Sequence, residues 1–293
     1  MKEDKEWKGT TYGNGWMHKH LILVLRYINV RLLYVFSYLF IVPVCLILNA
    51  SRKTAYHYFH KILGENSCRS AWLTFVNHCR FAEVVIDKFA MYAGRRFKVE
   101  VDGLDIFNAL AAGDEGFIHL STHIGNYEIA GYTLTSDKKT INPVVYAGEK
   151  ASVMASRNDM FVKTNIHMIP MRSDMSHLFE IDNALSSGQI VSFPADRTNG
   201  ASKVIEHTFL GRTACFPQGP FSVATMRGLN VLAVNVMKEG WTRYRIFVTP
   251  LDYDRSLPRK QQIAQLLDAY VNEHERRVNQ YPTQWYNFFE FWK

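Results

Sequence analysis

The sequence predicts an α/β fold, a mixed and mainly parallel sheet flanked by helices, with an apolar membrane-associating helix on its N-terminal side. Three observations predict it. Short apolar runs of strand length, Phe117 to Leu120, Ile141 to Tyr146, Ile166 to Pro170 and Ile190 to Pro194, alternate with stretches of helical makeup, the pattern left by parallel strands joined through helices. Leu32 to Leu48 is uncharged and apolar apart from Ser37 and Pro43, just long enough against the roughly 20 residues that a bilayer span requires. No internal repeat and no long linker divides residues 95 to 293. Residues 51–293 are therefore read as one domain behind a lead-in and membrane-associating helix over 1–50.

Residues 1 to 17 are charged and then glycine-rich, a surface lead-in. The apolar segment that follows has Arg26 and Arg31 before it and Arg52 and Lys53 after it. That symmetry suits a segment that dips into one leaflet or lies along it, its arginines reaching headgroups from either end, the plainer reading being a buried helix of a soluble core. Pro43 predicts a kink. A cleaved signal peptide fits poorly, because the apolar core starts late and no small-residue cleavage site follows. Residues 52 to 93 read as two helical pieces broken near Gly64, the second capped by Ser67. A strand is expected over Phe97 to Val101 and a short helix over Leu104 to Ala112. Alternation then sets in: strand 117 to 121, helix 126 to 134, strand 141 to 146, a helix over about 150 to 162, strand 166 to 170, a helix over about 174 to 187, strand 190 to 194. Hairpin-like segments at Val204 to Phe209 and Thr213 to Phe216 precede a helix over 219 to 227. Val231 to Val236 and Tyr244 to Thr249 are further strands, and Pro258 opens a long charged helix to Asn279. An aromatic tail from Trp285 to Trp292 ends the chain.

The 293 residues are 47% hydrophobic and 14% aromatic, which excludes a disordered chain and allows a large core. A formal charge of +7 implies an acidic partner. With no run of five basic residues and no zinc-finger spacing, anionic lipid headgroups or an acidic protein rank ahead of nucleic acid, which is not expected. Cys45, Cys68, Cys79 and Cys215 are scattered without a C-x-x-C pair, as suits a reducing compartment. The Asn49-Ala50-Ser51 triplet abuts the apolar segment and matches of this kind arise often by chance. His57 and His60 have a spacing a metal can use but no third ligand nearby, so no metal is expected. There is no P-loop, G-x-G-x-x-G, H-E-x-x-H or G-x-S-x-G.

What remains is FIHLSTHIGNYEIAG, Phe117 to Gly131. Ser121 and Thr122 are capping residues, so the strand is expected to end there, with His123 on a loop at the strand-to-helix junction where α/β folds place chemistry. Glu128 follows five residues on, about 140° away on a regular helix. The two side chains therefore meet only if His123 is on the loop and Glu128 in the first helical turn, with Gly125 allowing the bend. A histidine with one ring nitrogen held by a carboxylate is a tuned general base. The plainer reading is a loop histidine beside a glutamate that interacts with the helix dipole. Asp196 and Arg197 lie just past the strand 190 to 194 and so on the same rim of a parallel sheet, either as part of a site or as a turn ion pair.

HIGNYE at 123 to 128 resembles the H-x4-D/E motif of the lysophospholipid acyltransferase superfamily, in the H-x-G-N-W/Y-E form of the late acyltransferases of lipid A biosynthesis. Similar segments follow in order: NPVVYA at 142 to 147 and then Arg157, LSSGQIVSFPADR at 185 to 197, and FLGRTACFPQGPFSVATMRGLNVLAVNV at 209 to 236. The resemblance covers roughly residues 18 to 255. Tyr127 replaces the commoner Trp, Ala195 precedes the Asp, and the lead-in is more similar to relatives found with aryl-polyene pathways.

The resemblance implies a glycerolipid acyltransferase-like fold and direct acyl transfer, from an acyl carrier protein or coenzyme A thioester to a hydroxyl of a lipid or glycolipid. In that reading His123 is the base, Glu128 holds its ring, and Arg157 stabilises the oxyanion or binds donor phosphate. Gly125, Asn126, Asp196 and Arg197 shape substrate binding. No cofactor is expected, the thioester being a co-substrate. The implied location is the cytoplasmic face of the bacterial inner membrane, against an anionic surface. A non-catalytic lipid-binding scaffold or a thioester hydrolase on the same fold are the rival readings.

Overall fold

A computed structural model describes residues 15–146, 165–172, 174–198, 201 and 203–292. They fall into two compact units. One holds the N-terminal helices up to Arg96 and takes in Tyr286–Phe291, and the other, from Phe97, holds the sheet.

In the first unit α1 (Gly15–Tyr27) precedes α2 (Val30–Leu48), a helix of 19 residues. Asn29 caps α2, its side chain accepting the Arg31 N–H at 3.0 Å. A π-helical turn at Ser37–Ile41 sits just ahead of Pro43, where the missing proline N–H interrupts the helical ladder. Past its end, the Arg52 guanidinium donates to the carbonyls of Leu46 and Ile47, satisfying acceptors that a helix terminus leaves bare. α3 (Ser51–His57) runs into a second π-helical turn, Tyr58–Ile62. α4 (Ser67–Tyr92) is capped by Asn66, which accepts the Arg69 N–H at 2.9 Å. The cap thus lies one residue before the expected Ser67.

α2 has two unlike faces. Leu32, Phe36, Leu39, Phe40, Ile47 and Leu48 are exposed, whereas Val30, Tyr34, Ser37 and Val42 are buried. On the buried side the Tyr34 hydroxyl donates to Asp87 and the Tyr38 hydroxyl to Glu83, both on α4. Glu83 also accepts Arg80 at 3.0 Å. One side of the apolar helix is thereby tied to a neighbouring helix through paired polar groups, and the other is left bare.

The second unit runs β1 (Lys98–Asp102), α5 (Leu104–Ala112), β2 (Phe117–Gly125), a 3-10 turn at Tyr127–Ile129, α6 (Ala130–Thr133), β3 (Ile141–Tyr146), β4 (Ile169–Met171), α7 (His177–Ser186), β5 (Ile190–Pro194), β6 (Val204–Phe209), β7 (Arg212–Pro217), α8 (Gln218–Arg227), β8 (Val231–Lys238), β9 (Arg243–Pro250) and α9 (Arg259–Gln280). The helix expected over about 150 to 162 lies outside the described residues. Seven strands form one sheet in the order β1-β9-β8-β2-β5-β3-β4, and β6 pairs with β7 in a separate hairpin. β2 lies at the centre, parallel to β5 on one side and to β8 on the other. β8 and β9 pair antiparallel. β8 is buried along its whole length, as a central strand covered on both faces should be. α9 presents a buried stripe, Leu267, Tyr270, Val271, His274 and Val278, at the three- and four-residue intervals of an amphipathic helix.

The expected strand 117 to 121 is in fact nine residues long and carries His123 within it. Ser121 and Thr122 do not cap a helix: the Thr122 hydroxyl donates to Asn235 Oδ1 at 3.0 Å instead. The helix expected over 126 to 134 is a 3-10 turn followed by the four residues of α6.

Two histidines are sealed in this unit. His119 on β2 lies among the rings of Phe107 and Phe117, and His274 on α9 among Phe209, Tyr270 and Trp285. Burial pushes His119 down to about 3 and His274 to about 4, in the latter against the pull of Asp196. Both are therefore neutral in the fold while the unfolded chain titrates near 6.5. Stability is full above that pH and falls as the pH drops, His274 alone withdrawing on the order of 3 kcal/mol by pH 4. Urea denaturation at pH 7 and pH 5 should show the loss, and His274→Phe should reduce it by about half, His119 supplying the rest. An unaltered slope in that variant would reject the assignment.

Candidate active site

β2 and β5 run parallel with Ser121 opposite Pro194, so the residues just beyond meet at the carboxyl rim of the sheet. There the His123 backbone N–H donates to Asp196 Oδ2 at 2.8 Å, and His123 Nδ1 bonds Asp196 Oδ1 at 2.7 Å. One carboxylate thus takes both N–H groups of one residue. With Nδ1 carrying the proton, Nε2 keeps the lone pair of a base. Asp196 is 2% exposed and the His123 side chain 24%. The carboxylate lies in the protein and the ring remains open to solvent.

This corrects the expected partner. The sequence reading gave the His123 ring to Glu128, but the bond at Nδ1 is with Asp196, a residue assigned to substrate binding. Glu128 is buried in the 3-10 turn that follows β2. Burial by itself would raise the Asp196 carboxyl. The His123 charge and hydrogen bond, with Arg197 and His274 nearby, instead hold it well below the usual carboxylate range. Arg197 is lowered by burial against the pull of Asp196 and the Tyr127 phenol, and a guanidinium keeps its charge under such conditions. The half-exposed Tyr127 ring meets the His123 ring edge to face, centroids 5.9 Å apart.

Gly125 closes β2 at φ +63°, and a Cβ there would stand 1.8 Å from the Val236 carbonyl oxygen. No other residue fits between the strands at this point. The register of β2 against β8 shifts between Ser121 and Gly125, a local irregularity of the kind that re-aims side chains beside functional sites. Asn126 is buried, its backbone N–H on Val236 O at 2.9 Å and its side-chain amide on the Tyr244 hydroxyl at 3.4 Å. Of the predicted residues, the fold brings His123, Asp196 and Arg197 together and places Gly125 at the end of β2 and Asn126 and Glu128 in the turn beyond. Arg157 lies outside the described residues.

Residues 81–293 match the family of bacterial lipid A biosynthesis acyltransferases. The chain belongs to this family. It is therefore a lipid acyltransferase, working on lipid substrates with an acyl donor. No curated protein matches it in sequence. Among solved structures it is similar to the 1-acyl-sn-glycerophosphate (LPA) acyltransferase PlsC from Thermotoga maritima, at 14% identity and a TM-score of 0.39, over 90% of this chain and 98% of that one.

The pairing of His123 with Asp196 escaped sequence reasoning because 73 residues separate the two. A signal did exist: two apolar runs, Phe117 to Leu120 and Ile190 to Phe193, each followed within three residues by chemistry-bearing side chains. What the sequence lacked was the strand order that makes those runs neighbours.

Proposed function

We propose that this acyltransferase moves a fatty acyl chain from a thioester, on an acyl carrier protein or coenzyme A, to a hydroxyl of a lipid or glycolipid at a membrane surface, with His123 as general base. The observation that carries this reading is the bond from His123 Nδ1 to the buried Asp196 carboxylate, which leaves Nε2 as acceptor on a partly exposed ring. Nε2 takes the acceptor's proton as its oxygen attacks the thioester carbonyl. Asp196 offsets the charge that then develops on the imidazolium. Collapse of the tetrahedral intermediate breaks the carbon–sulfur bond, and the proton passes from Nε2 to the departing thiolate. Arg157 is proposed for the oxyanion or donor phosphate. Arg197, cationic beside the pair, is proposed for an anionic group of a substrate. Gly125 and Asn126 contribute by shaping the turn.

Membrane attachment is proposed through the bare face of α2. Leu39 and Phe40, both more than half exposed, would lie among acyl chains, with the Tyr34 and Tyr38 side kept out of them. The net charge of +7 favours an anionic surface such as the cytoplasmic face of a bacterial inner membrane. Leu39→Asp combined with Phe40→Asp should lower co-sedimentation with anionic vesicles by about tenfold or more, with thermal unfolding little changed. Unchanged sedimentation would count against this attachment.

Incubation with a labelled acyl carrier protein, labelled acyl-coenzyme A and a membrane lipid extract, followed by mass spectrometry, tests the reaction. A new acylated lipid supports it. Free fatty acid alone would indicate a hydrolase, and intact thioester with lipid still bound would indicate a scaffold.

A further inference from the structure

β2 ends in a register shift, and α9 grips the strand at the two residues that precede His123. The Ser121 carbonyl accepts two bonds, one from the Ala195 backbone N–H at 3.0 Å and one from the Tyr270 hydroxyl at 3.1 Å. Ala195 immediately precedes Asp196, and Ser121 stands two residues before His123. A single hydroxyl from α9 therefore sits on the joint between the two chain segments that carry the pair. One residue on, the Thr122 hydroxyl donates to Asn235 Oδ1 at 3.0 Å, and the Asn235 amide donates to Glu273 Oε1 at 3.4 Å. Glu273, one turn beyond Tyr270 on α9, is fixed in turn by Arg277 at 2.7 Å, Arg276 at 2.8 Å and the Thr249 hydroxyl at 3.2 Å.

Thr122, Asn235, Tyr270, Glu273 and Arg277 are all buried. A polar chain of this length in a core is favourable only when each member is satisfied. Apolar side chains would serve packing alone at these positions. Burial and the Asp196 charge push the Tyr270 phenol well above its ordinary value, so it is always a donor. An imidazole whose alignment decides a proton transfer is sensitive to displacements of about an ångström, and a strand end with irregular pairing is free to make such displacements unless something holds it.

We propose that Tyr270 is a positioning residue for the His123–Asp196 pair, acting through the Ser121 carbonyl, with the Thr122–Asn235–Glu273 chain as its second anchor. The catalytic part of this proposal rests on the general-base reading of His123, and the positional part does not. Tyr270→Phe keeps the ring among Phe216, Phe221 and His274 and leaves the Ser121 carbonyl its bond from Ala195, so it removes one donor and little packing. The expected result is a fall in kcat of about tenfold or more, with KM held within about threefold. Thr122→Val should behave in the same way and Thr122→Ser should restore activity.

The proton on His123 Nδ1, followed by NMR on histidine-labelled protein and assigned by its absence in His123→Ala, gives a readout independent of turnover. In Tyr270→Phe that resonance should shift upfield or broaden as the bond to Asp196 loosens. An unshifted resonance together with near-normal kcat would overturn the proposal. A shifted resonance in an enzyme that retains turnover in His123→Ala would uphold the positioning and sink the general-base reading. Should Tyr270→Phe fail to fold, the Thr122→Val and Thr122→Ser pair decides: equal activity and an unshifted resonance in both would overturn the proposal.

Discussion

His123→Ala, correctly folded, loses acyl transfer by a factor of about 10² or more. The substitution removes the group that accepts the hydroxyl proton and takes from the buried Asp196 carboxylate, 2% exposed, its ring partner, leaving it the backbone N–H of residue 123 and the nearby Arg197 charge. Some of the effect will appear as destabilisation, because a buried carboxylate that loses a hydrogen-bond partner is costly. His123→Gln is therefore the better chemical test. It keeps a polar side chain near the carboxylate and has no basic nitrogen. Steady-state rates with the thioester donor that the lipid-extract experiment identifies, alongside thermal unfolding of each variant, separate the two contributions. Near-normal turnover by either folded variant would remove the base from the mechanism.

Asp196→Asn should lower kcat by about 10² to 10⁴, comparable to the effect of losing the imidazole. The reason is a mismatch of donors and acceptors. Asp196 accepts the ring N–H with one oxygen and the backbone N–H with the other, at 2.7 and 2.8 Å. Asparagine has one oxygen and one NH₂ group, so in either orientation a donor faces a donor. The ring then turns over, or moves its proton to Nε2 and ceases to be a base at the exposed nitrogen. Glu128→Gln provides the contrast, because the sequence pattern alone would have made Glu128 the brace. The His123 Nδ1 proton should respond to Asp196→Asn and be little changed in Glu128→Gln. The reverse result would return the bracing role to Glu128.

Much of the fold was legible because its elements are local. Apolar runs bounded by polar residues fixed β3 and β5 to the residue, and the helix at Leu104 to Ala112 coincides with α5. His123, expected on the loop past a buried strand, stands instead within β2, two residues before its end. The end of β2 was misjudged because Ser121 and Thr122 serve a cap and a strand equally well in isolation. What decides between them is Asn235 on β8, which takes the Thr122 hydroxyl and so keeps the chain extended. The cap of α4 fell to Asn66 over Ser67 by a margin that local sequence does not resolve. Asp196 is on the rim the sequence implies, and its bonds to His123 add a partner that the sequence does not reveal. Tyr270 carries no signal of its own in the sequence, since its hydroxyl acquires meaning only from a carbonyl 149 residues earlier.

Because His123 and Asp196 are held by adjacent strands and not by adjacency along the chain, what keeps them within reach is the pairing of β2 with β5, extended sideways by β3. Relatives can therefore differ in the number of residues between α6 and α7 without separating the pair, so long as those strands keep their register.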